Sequence, residues 1–426
     1  MLLDVPPVTG ISDPFPVRVS DVPPGGAVRV SVRATDAAGD LWSSTTEFTA
    51  DGDGYVDTGS ALPGAAEWSP ANSLGPLWTL RPDHGSSGHV FALEPGGGIA
   101  LDVRVRARGA ALGAGASRTV GRRAREVDDL PVPGAPGARL FVPADGVARP
   151  GVVLLGGAEG GVPAAAAAEL ADQGWSALAL DWFPGGSRGV DVGEIRRALL
   201  SFVRHPSVSG DRLALIGRGR GAELALILAV AEPDLVGPVT AHSPSDIRTT
   251  DPHADPTATT YLGDAGPARD LPAPEKDSAL GRLRARFRPA VSRGPLELAD
   301  YYARARRRAG EEAVAAARIP VERIRGPLLV SAGTDDAVWD SRTMAETLAH
   351  RAAETGIDAY GIVHQGAGHG VGWPFTPAGV PVPDTIAAYG GTVLLGGDRT
   401  SSGAAAVRSR DVVLEFLRET HGGGAR

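Results

Sequence analysis

The sequence predicts a β-sandwich domain followed by an α/β domain with a mostly parallel sheet and helices on both faces. Three observations predict it. The first 110 or so residues alternate apolar and polar positions, as half-buried strands do. After residue 150, short and wholly apolar runs alternate with helix-forming stretches, the pattern of buried parallel strands and crossover helices. A tight glycine turn, Gly217-Arg-Gly-Arg-Gly221, joins one such run directly to a helix.

Composition sets the outer limits. With 426 residues the chain is long enough for two or three domains. Its 42 basic against 50 acidic residues give a net charge of −8, which argues against a nucleic-acid partner. Cysteine is absent, excluding disulfide scaffolds, Cys-ligated metals and a thiol nucleophile. No metal site is expected. There is no apolar run of membrane-spanning length, and the start, Met1-Leu-Leu-Asp-Val, lacks the basic and apolar segments of a signal peptide, so a cytoplasmic protein without a membrane partner is expected. Nearly all positive charge is arginine, with Lys276 as the one lysine. Together with the abundant Ala and Gly, this reads as high-GC coding bias and a bacterial source.

In the sandwich, expected at residues 1–125, the strands are Pro16–Asp21, Ala27–Asp36 and Gly98–Ala107, separated by turn clusters such as Pro23-Pro-Gly-Gly. Trp42, Trp68 and Trp78 read as core or domain-interface packing. Residues 111–150 read as a Gly/Pro-rich transition, its basic run Arg118–Arg125 taken as solvated linker and entry strand. The second domain, 126–426, has expected strands at Val152–Gly156, Ala177–Asp181, Arg212–Gly217, Pro238–His242, Pro327–Gly333 and Tyr360–His364. Helices are expected at Pro163–Ala171, Val192–Arg204, Arg220–Ala231, Ser341–Glu354 and about Ala406–Glu419. Residues 245–325 interrupt this rhythm, where a lid would be inserted. Their arginines (Arg282, Arg284, Arg286, Arg288, Arg304, Arg306, Arg307, Arg308) form either a solvated surface or a basic face for a phosphate-bearing substrate.

The glycine turn has the context of a nucleophile elbow, G-x-S-x-G: strand, strained turn, helix. Small residues on both sides are a steric need of that turn, and the helix N-terminus behind it offers N–H groups to an oxyanion. The nucleophile position is Gly219, which has no side chain. A dinucleotide fingerprint does not fit, because the G-x-G-x-x-G spacing is missing and the turn lies in the third strand–helix unit. Downstream, Gly333-Thr-Asp-Asp-Ala-Val-Trp339 offers a triad acid, with Asp336 preferred to Asp335. Gln365-Gly-Ala-Gly-His369-Gly offers a general base on the loop before the last helix. Elbow, Asp, His is the chain order of the α/β-hydrolase triad. Ser243, after the next strand, is a minor candidate for a displaced nucleophile.

Arg220-Gly-Ala-Glu-Leu resembles the Lys-Gly-Ala-Glu-Leu that follows the nucleophile in the acyl-CoA thioesterase and bile acid-CoA:amino acid N-acyltransferase family. Gly333-x-x-Asp336-x-x-Trp339-x-Ser341 resembles that family's acid loop. Gly366-Ala-Gly-His369 with Trp373-Pro-Phe resembles its histidine loop, Gly390-Gly-Thr its Gly-Gly-Glu turn, and Gly75-Pro-Leu-Trp78 a segment of its N-terminal β domain. The resemblance spans almost the whole chain outside about 245–325. It implies an immunoglobulin-like sandwich before an α/β-hydrolase domain, and cleavage of acyl-CoA or acyl-carrier-protein thioesters with transfer to water or an amino acid. CoA or phosphopantetheine is then part of the substrate, and no cofactor is needed. Carried over, His369 is general base and acid, Asp336 its orienting acid and Gly219 the nucleophile position. The oxyanion donors are the backbone N–H of Arg220 and one near Ala158. Without Oγ or Sγ at 219 no acyl-enzyme forms. Three explanations follow: an engineered change, a pseudoenzyme that binds acyl groups, or a repurposed enzyme in which His369–Asp336 acts as base directly, for hydration, elimination or cyclisation.

Overall fold

A computed structural model of the chain describes residues 1–64, 68–84, 90–108, 115–123, 127–133, 135, 137–183, 189–249, 261–262, 270–271, 294–389 and 391–422. The N-terminal part is two packed sheets. Strands β1 (Ala27–Thr35), β2 (Leu41–Thr49), β3 (Gly98–Ala107) and β4 (Gly115–Arg123) form an antiparallel sheet in the order β4-β3-β1-β2, extended by Val8–Thr9 and Arg81–Pro82. A smaller sheet combines Leu2–Asp4, Arg18–Ser20 and Val56–Asp57. Period-2 patterning places Val28, Val30 and Val32 of β1 and Leu101, Val103 and Val105 of β3 in the core between them. The basic run is corrected here: its first part is not linker but β4, paired with β3 from Gly98↔Arg123 to Arg106↔Gly115. Gly115-Ala-Ser-Arg-Thr-Val-Gly-Arg-Arg has no apolar alternation of its own, so its strand state comes from the ladder with β3.

The second sheet begins at β5 (Val127–Leu130) and continues through β6 (Arg139–Pro143), β7 (Arg149–Leu155), β8 (Ser176–Leu180), β9 (Val208–Arg218), β10 (Val236–His242), β11 (Leu328–Gly333) and β12 (Ala359–His364). Its eight strands run in the order β5-β6-β8-β7-β9-β10-β11-β12, antiparallel only at β5/β6 and β6/β8. The strands are apolar on both faces because both are covered. Leu213 and Leu215 of β9 face the side packed by α2 (Val192–Val203), α3 (Arg220–Ala231) and α5 (Ser341–Glu354), numbered after α1 (Ala164–Asp172) and with α4 (Ala299–Ala317) between. Ala214 and Ile216 face α1 and α6 (Arg399–Thr420).

Helix α6 starts seven residues before its expected start, because Asp398 caps it by accepting a bond from the Ser401 N–H at 2.8 Å. The polar stretch Arg399-Thr-Ser-Ser-Gly hides this start from hydrophobic periodicity. Within 245–325, helix α4 and its flanks are described, whereas Arg282, Arg284, Arg286 and Arg288 lie outside the described residues.

The two sheets meet at a tryptophan. Trp42 and Trp68 are buried in the sandwich, and Trp78 donates its indole N–H to the Ala378 carbonyl at 2.9 Å. A Cβ at Gly403 of α6 would lie 2.4 Å from that indole, so glycine permits the close approach. Arg399 Nη1 adds a bond to the Leu80 carbonyl at 2.8 Å. Ala378 and Val380, just beyond the histidine loop, are therefore part of the sandwich core.

Candidate active site

The elbow forms because β9 passes into α3 with no room for side chains. A Cβ at Gly217 would meet the Gly221 carbonyl oxygen at 2.2 Å, and one at Gly221 would meet the Leu155 oxygen at 2.0 Å. Between them Gly219 has φ +57° and ψ −116°, and its N–H donates to the His242 carbonyl at 2.9 Å. The strained turn is thus fully kept although the side chain it would present is absent.

The acid and histidine loops interlock beside it. Asp335 N–H donates to the Ala367 carbonyl at 3.0 Å, and the Leu395 carbonyl accepts from both Ala337 (3.2 Å) and His369 (2.8 Å). His369 Nδ1 lies 2.8 Å from Asp336 Oδ2, while Asp336 Oδ1 accepts from the N–H groups of Val338 (2.8 Å) and Trp339 (3.2 Å). The Asp336 side chain is buried and Asp335 is exposed. With Nδ1–H donating to the carboxylate, Nε2 carries the lone pair. Trp339 packs edge-on to the imidazole at 5.0 Å between centroids, and its indole N–H donates to the Ser243 carbonyl at 3.1 Å. The Ser243 hydroxyl is fully buried and donates to the His369 carbonyl at 3.0 Å, so it braces the loop's backbone.

The third partner is position 219. A Cβ built on Gly219 would lie only 2.7 Å from His369 Nε2. That is closer than a Cβ contact allows, so a side chain there would require the imidazole or the turn to shift. Beside it is a cavity of about 20 Å³, room for one water-sized molecule, lined in part by Ala158, Arg220, Trp339 and His369. Ala158 and Arg220, the two expected oxyanion donors, thus border the same space as Nε2.

Sequence reading did not single out Glu159, Tyr302 or the side chain of Arg220. Glu159 accepts from the Gly157 N–H at 3.1 Å and from Arg218 at 2.5 Å. Burial pushes its carboxyl up, but Arg218 and the Glu159 and Gly157 N–H groups more than offset this and hold it below the usual range. The Arg220 side chain turns away from its backbone role: Nη1 donates to Glu223 Oε2 at 3.0 Å, to the Thr249 carbonyl at 2.7 Å and to Thr249 Oγ1. Burial opposes the charge of this guanidinium, yet Glu223 and the phenols of Tyr261, Tyr389 and Tyr302 hold it in its charged form. The i,i+3 spacing of Arg220 and Glu223 on a helix was the available signal. Tyr302 packs against Trp339 at 5.2 Å and brings α4 to the site. On the same helix Arg306 is held bidentately by Asp246 (2.6 and 3.0 Å), so this arginine of the basic insert is already paired.

A mainly parallel eight-stranded sheet, with an elbow after β9, an acid after β11 and a histidine after β12, defines an α/β-hydrolase domain, here joined to a separate antiparallel β domain. The chain belongs to the BAAT / acyl-CoA thioester hydrolase family, whose C-terminal model matches residues 196–423 and whose N-terminal-region model matches residues 12–126. It is 24% identical over 432 residues to acyl-coenzyme A thioesterase 6 of Mus musculus, covering 96% of this chain and 93% of the relative. It is 24% identical to the mouse peroxisomal succinyl-coenzyme A thioesterase (86% and 84% covered) and 23% identical to mouse bile acid-CoA:amino acid N-acyltransferase (92% and 92% covered). The family is one of enzymes, thioesterases and acyltransferases. Among the described residues no helix is long and apolar enough to cross a membrane.

Proposed function

We propose that this chain cleaves acyl thioesters of CoA, or of the same arm on a carrier protein, by direct general-base attack and without an acyl-enzyme. The observation that carries this is the contact at position 219: a complete His369–Asp336 pair whose base nitrogen stands 2.7 Å from where a nucleophile's Cβ would be. A dyad kept in register after its nucleophile is lost retains the function of a base.

In this reading water, or an amine, occupies the small space between Nε2 and the thioester carbonyl. Nε2 takes the proton as the oxygen or nitrogen bonds to the carbonyl carbon. Asp336 holds the imidazole in the Nδ1–H tautomer and stabilises the imidazolium. The oxyanion is met by the N–H of Arg220 at the N-terminal end of α3 and by that of Ala158 on the loop after β7. Collapse of the tetrahedral intermediate breaks the C–S bond, and the imidazolium proton passes to the departing sulfur, giving acid or amide and a free thiol. Proton transfer of this kind contributes about 10²–10⁴ in rate.

The test is turnover of acyl-CoAs of graded length, with water alone and with added amines, by the native chain, His369→Ala and Asp336→Asn. The expected result is slow native turnover that falls in both variants, with no acyl adduct by intact mass during turnover. Binding without turnover, or turnover indifferent to His369, overturns the reading.

A further inference from the structure

The two expected oxyanion donors stand on separate segments, and one ion pair joins those segments. Strands β7 and β9 are parallel neighbours with Leu155 opposite Gly217, so the chain leaves both at the same edge of the sheet. From β7 it enters a turn over residues 157–160, closed by the Gly160 N–H donating to the Gly157 carbonyl at 3.3 Å. Ala158 lies inside that turn. From β9 it enters the elbow, where Arg220 follows Gly219. Glu159 comes directly after Ala158 and Arg218 directly before Gly219, and their side chains meet at 2.5 Å. The carboxylate also holds its own turn, because Oε1 accepts the Gly157 N–H at 3.1 Å. A Cβ at Gly157 would lie 2.5 Å from Oε2, so glycine there gives the carboxylate room to fold back. On its other side, the Arg218 guanidinium carbon lies 5.3 Å from the ring centre of Phe375 on the histidine loop. Both side chains belong to the wall of the cavity beside His369.

We infer that the Arg218–Glu159 pair is a strap that sets the spacing of the oxyanion hole, tying the turn that carries the Ala158 N–H to the elbow that carries the Arg220 N–H. Both are positioning residues, and neither exchanges a proton with the substrate. Oxyanion donors act by being fixed in advance where charge develops, and a displacement of about 1 Å can cost about 10² in rate. The strap has an electrostatic duty as well. A lone carboxylate beside the hole would repel the developing oxyanion, and the guanidinium in contact with it cancels that charge. The rival role for Glu159 is that of a second base, since its Oε2 is buried without a hydrogen-bond partner. The inference rests on the reading that a thioester carbonyl is attacked beside His369.

The experiment has a kinetic arm and an exchange arm, both on the full-length chain. Turnover of one acyl-CoA is measured across pH for the native chain, Glu159→Ala, Glu159→Gln, Arg218→Ala and the double alanine variant, with melting curves to confirm folding. Amide hydrogen exchange is followed by mass spectrometry in peptides covering 157–160 and 218–221. Each single alanine variant should lower kcat by about tenfold to a hundredfold with KM within about threefold, Arg218→Ala the more so because it leaves the carboxylate unpaired. The double variant should be no worse than Arg218→Ala, as for two parts of one unit. Glu159→Gln keeps an acceptor for Arg218 and the Gly157 N–H, so it should restore kcat to within about threefold, with the pH profile unchanged. Exchange should rise about tenfold in both peptides whichever partner is removed. Losses that multiply in the double variant, or alanine variants with native kcat, overturn the strap. Glu159→Gln as inactive as Glu159→Ala, with a changed pH profile, overturns it in favour of a base. If the native chain turns over no acyl-CoA, the reading of the site fails on its own, and the exchange arm judges the strap: loosening of both peptides supports it, and loosening confined to the substituted segment overturns it.

Discussion

Restoring a side chain at residue 219 probes the closed site most directly. Gly219→Ala adds only a Cβ, at φ +57° and 2.7 Å from His369 Nε2. The backbone strain of a non-glycine residue in such a conformation costs about 1–3 kcal/mol. Ordinary contact begins near 3.4 Å, so the imidazole must retreat by roughly 0.7 Å. It cannot do so freely, because Asp336 holds Nδ1 at 2.8 Å, Trp339 packs against the ring, and the His369 N–H is bonded to Leu395. Weakening the bond to Asp336 adds up to about 1.5–3 kcal/mol. The sum, about 2.5–6 kcal/mol, is a large share of the stability of a domain.

The assay is urea unfolding of the native chain, Gly219→Ala and Gly219→Ser, followed by turnover on a single acyl-CoA. Both variants should lose most of that sum, with Ser regaining about 1 kcal/mol where its hydroxyl can bond to Nε2. In turnover Gly219→Ala should fall by about 10²-fold or more, since the methyl takes the space of the attacking molecule and displaces its base. Only the Ser form should accumulate an acyl adduct by mass. The reasoning is refuted if Gly219→Ala is as stable as the native chain to within about 0.5 kcal/mol, the scale of a neutral substitution. His369 would then be free to move, and the close approach to residue 219 would not be a built feature.

Further outcomes follow from the same structure. Asp336→Asn should lower turnover by about 10²–10⁴-fold with little change in substrate binding, read from kcat and KM separately. His242 is fully buried between Ser331 (2.6 Å) and the Trp373 carbonyl (3.0 Å); burial pushes it to about 3, and His364 likewise to about 4. Both lie below the unfolded value of about 6.5, so their neutral-form stability is present above that pH and is lost as pH falls toward 4 and then 3. As pH falls from 6.5 to 5 each should contribute a slope that rises from about 0.7 toward about 1.4 kcal/mol per pH unit in urea-derived stability, and His364→Gln should remove one such share. Gly403→Ala, whose methyl would meet the Trp78 ring at 2.4 Å, should cost about 1–3 kcal/mol and perturb the near-ultraviolet signal of that indole at the junction of the two sheets.

Much of this site was legible because its constraints are local. The elbow could be read from Gly217 and Gly221, whose missing side chains answer to backbone oxygens at 2.2 and 2.0 Å, a steric need independent of the nucleophile. Asp336 and His369 could be read because each follows an apolar strand, and a parallel sheet brings the ends of its strands to one edge. What was not legible depends on partners outside the segment itself. The strand state of Gly115–Arg123 is set by β3 across a hairpin, and the start of α6 by a cap. The anchoring of the Arg220 side chain depends on Thr249 from another loop. The contact between His369 and position 219 belongs to this second class, and it changes how the missing nucleophile is understood. A simple deletion of the serine side chain from a working triad would leave a gap at Nε2. A gap of that kind is absent, because the place of the Cβ is 2.7 Å from the nitrogen and what remains beside it is water-sized. The imidazole stays bonded to Asp336 with Nε2 2.7 Å from that place, nearer than a Cβ contact allows, so a side chain at 219 requires one of the two to shift. Geometry of this kind favours a base that acts on its own over a triad waiting for its serine, and the urea measurement on Gly219→Ala decides between them.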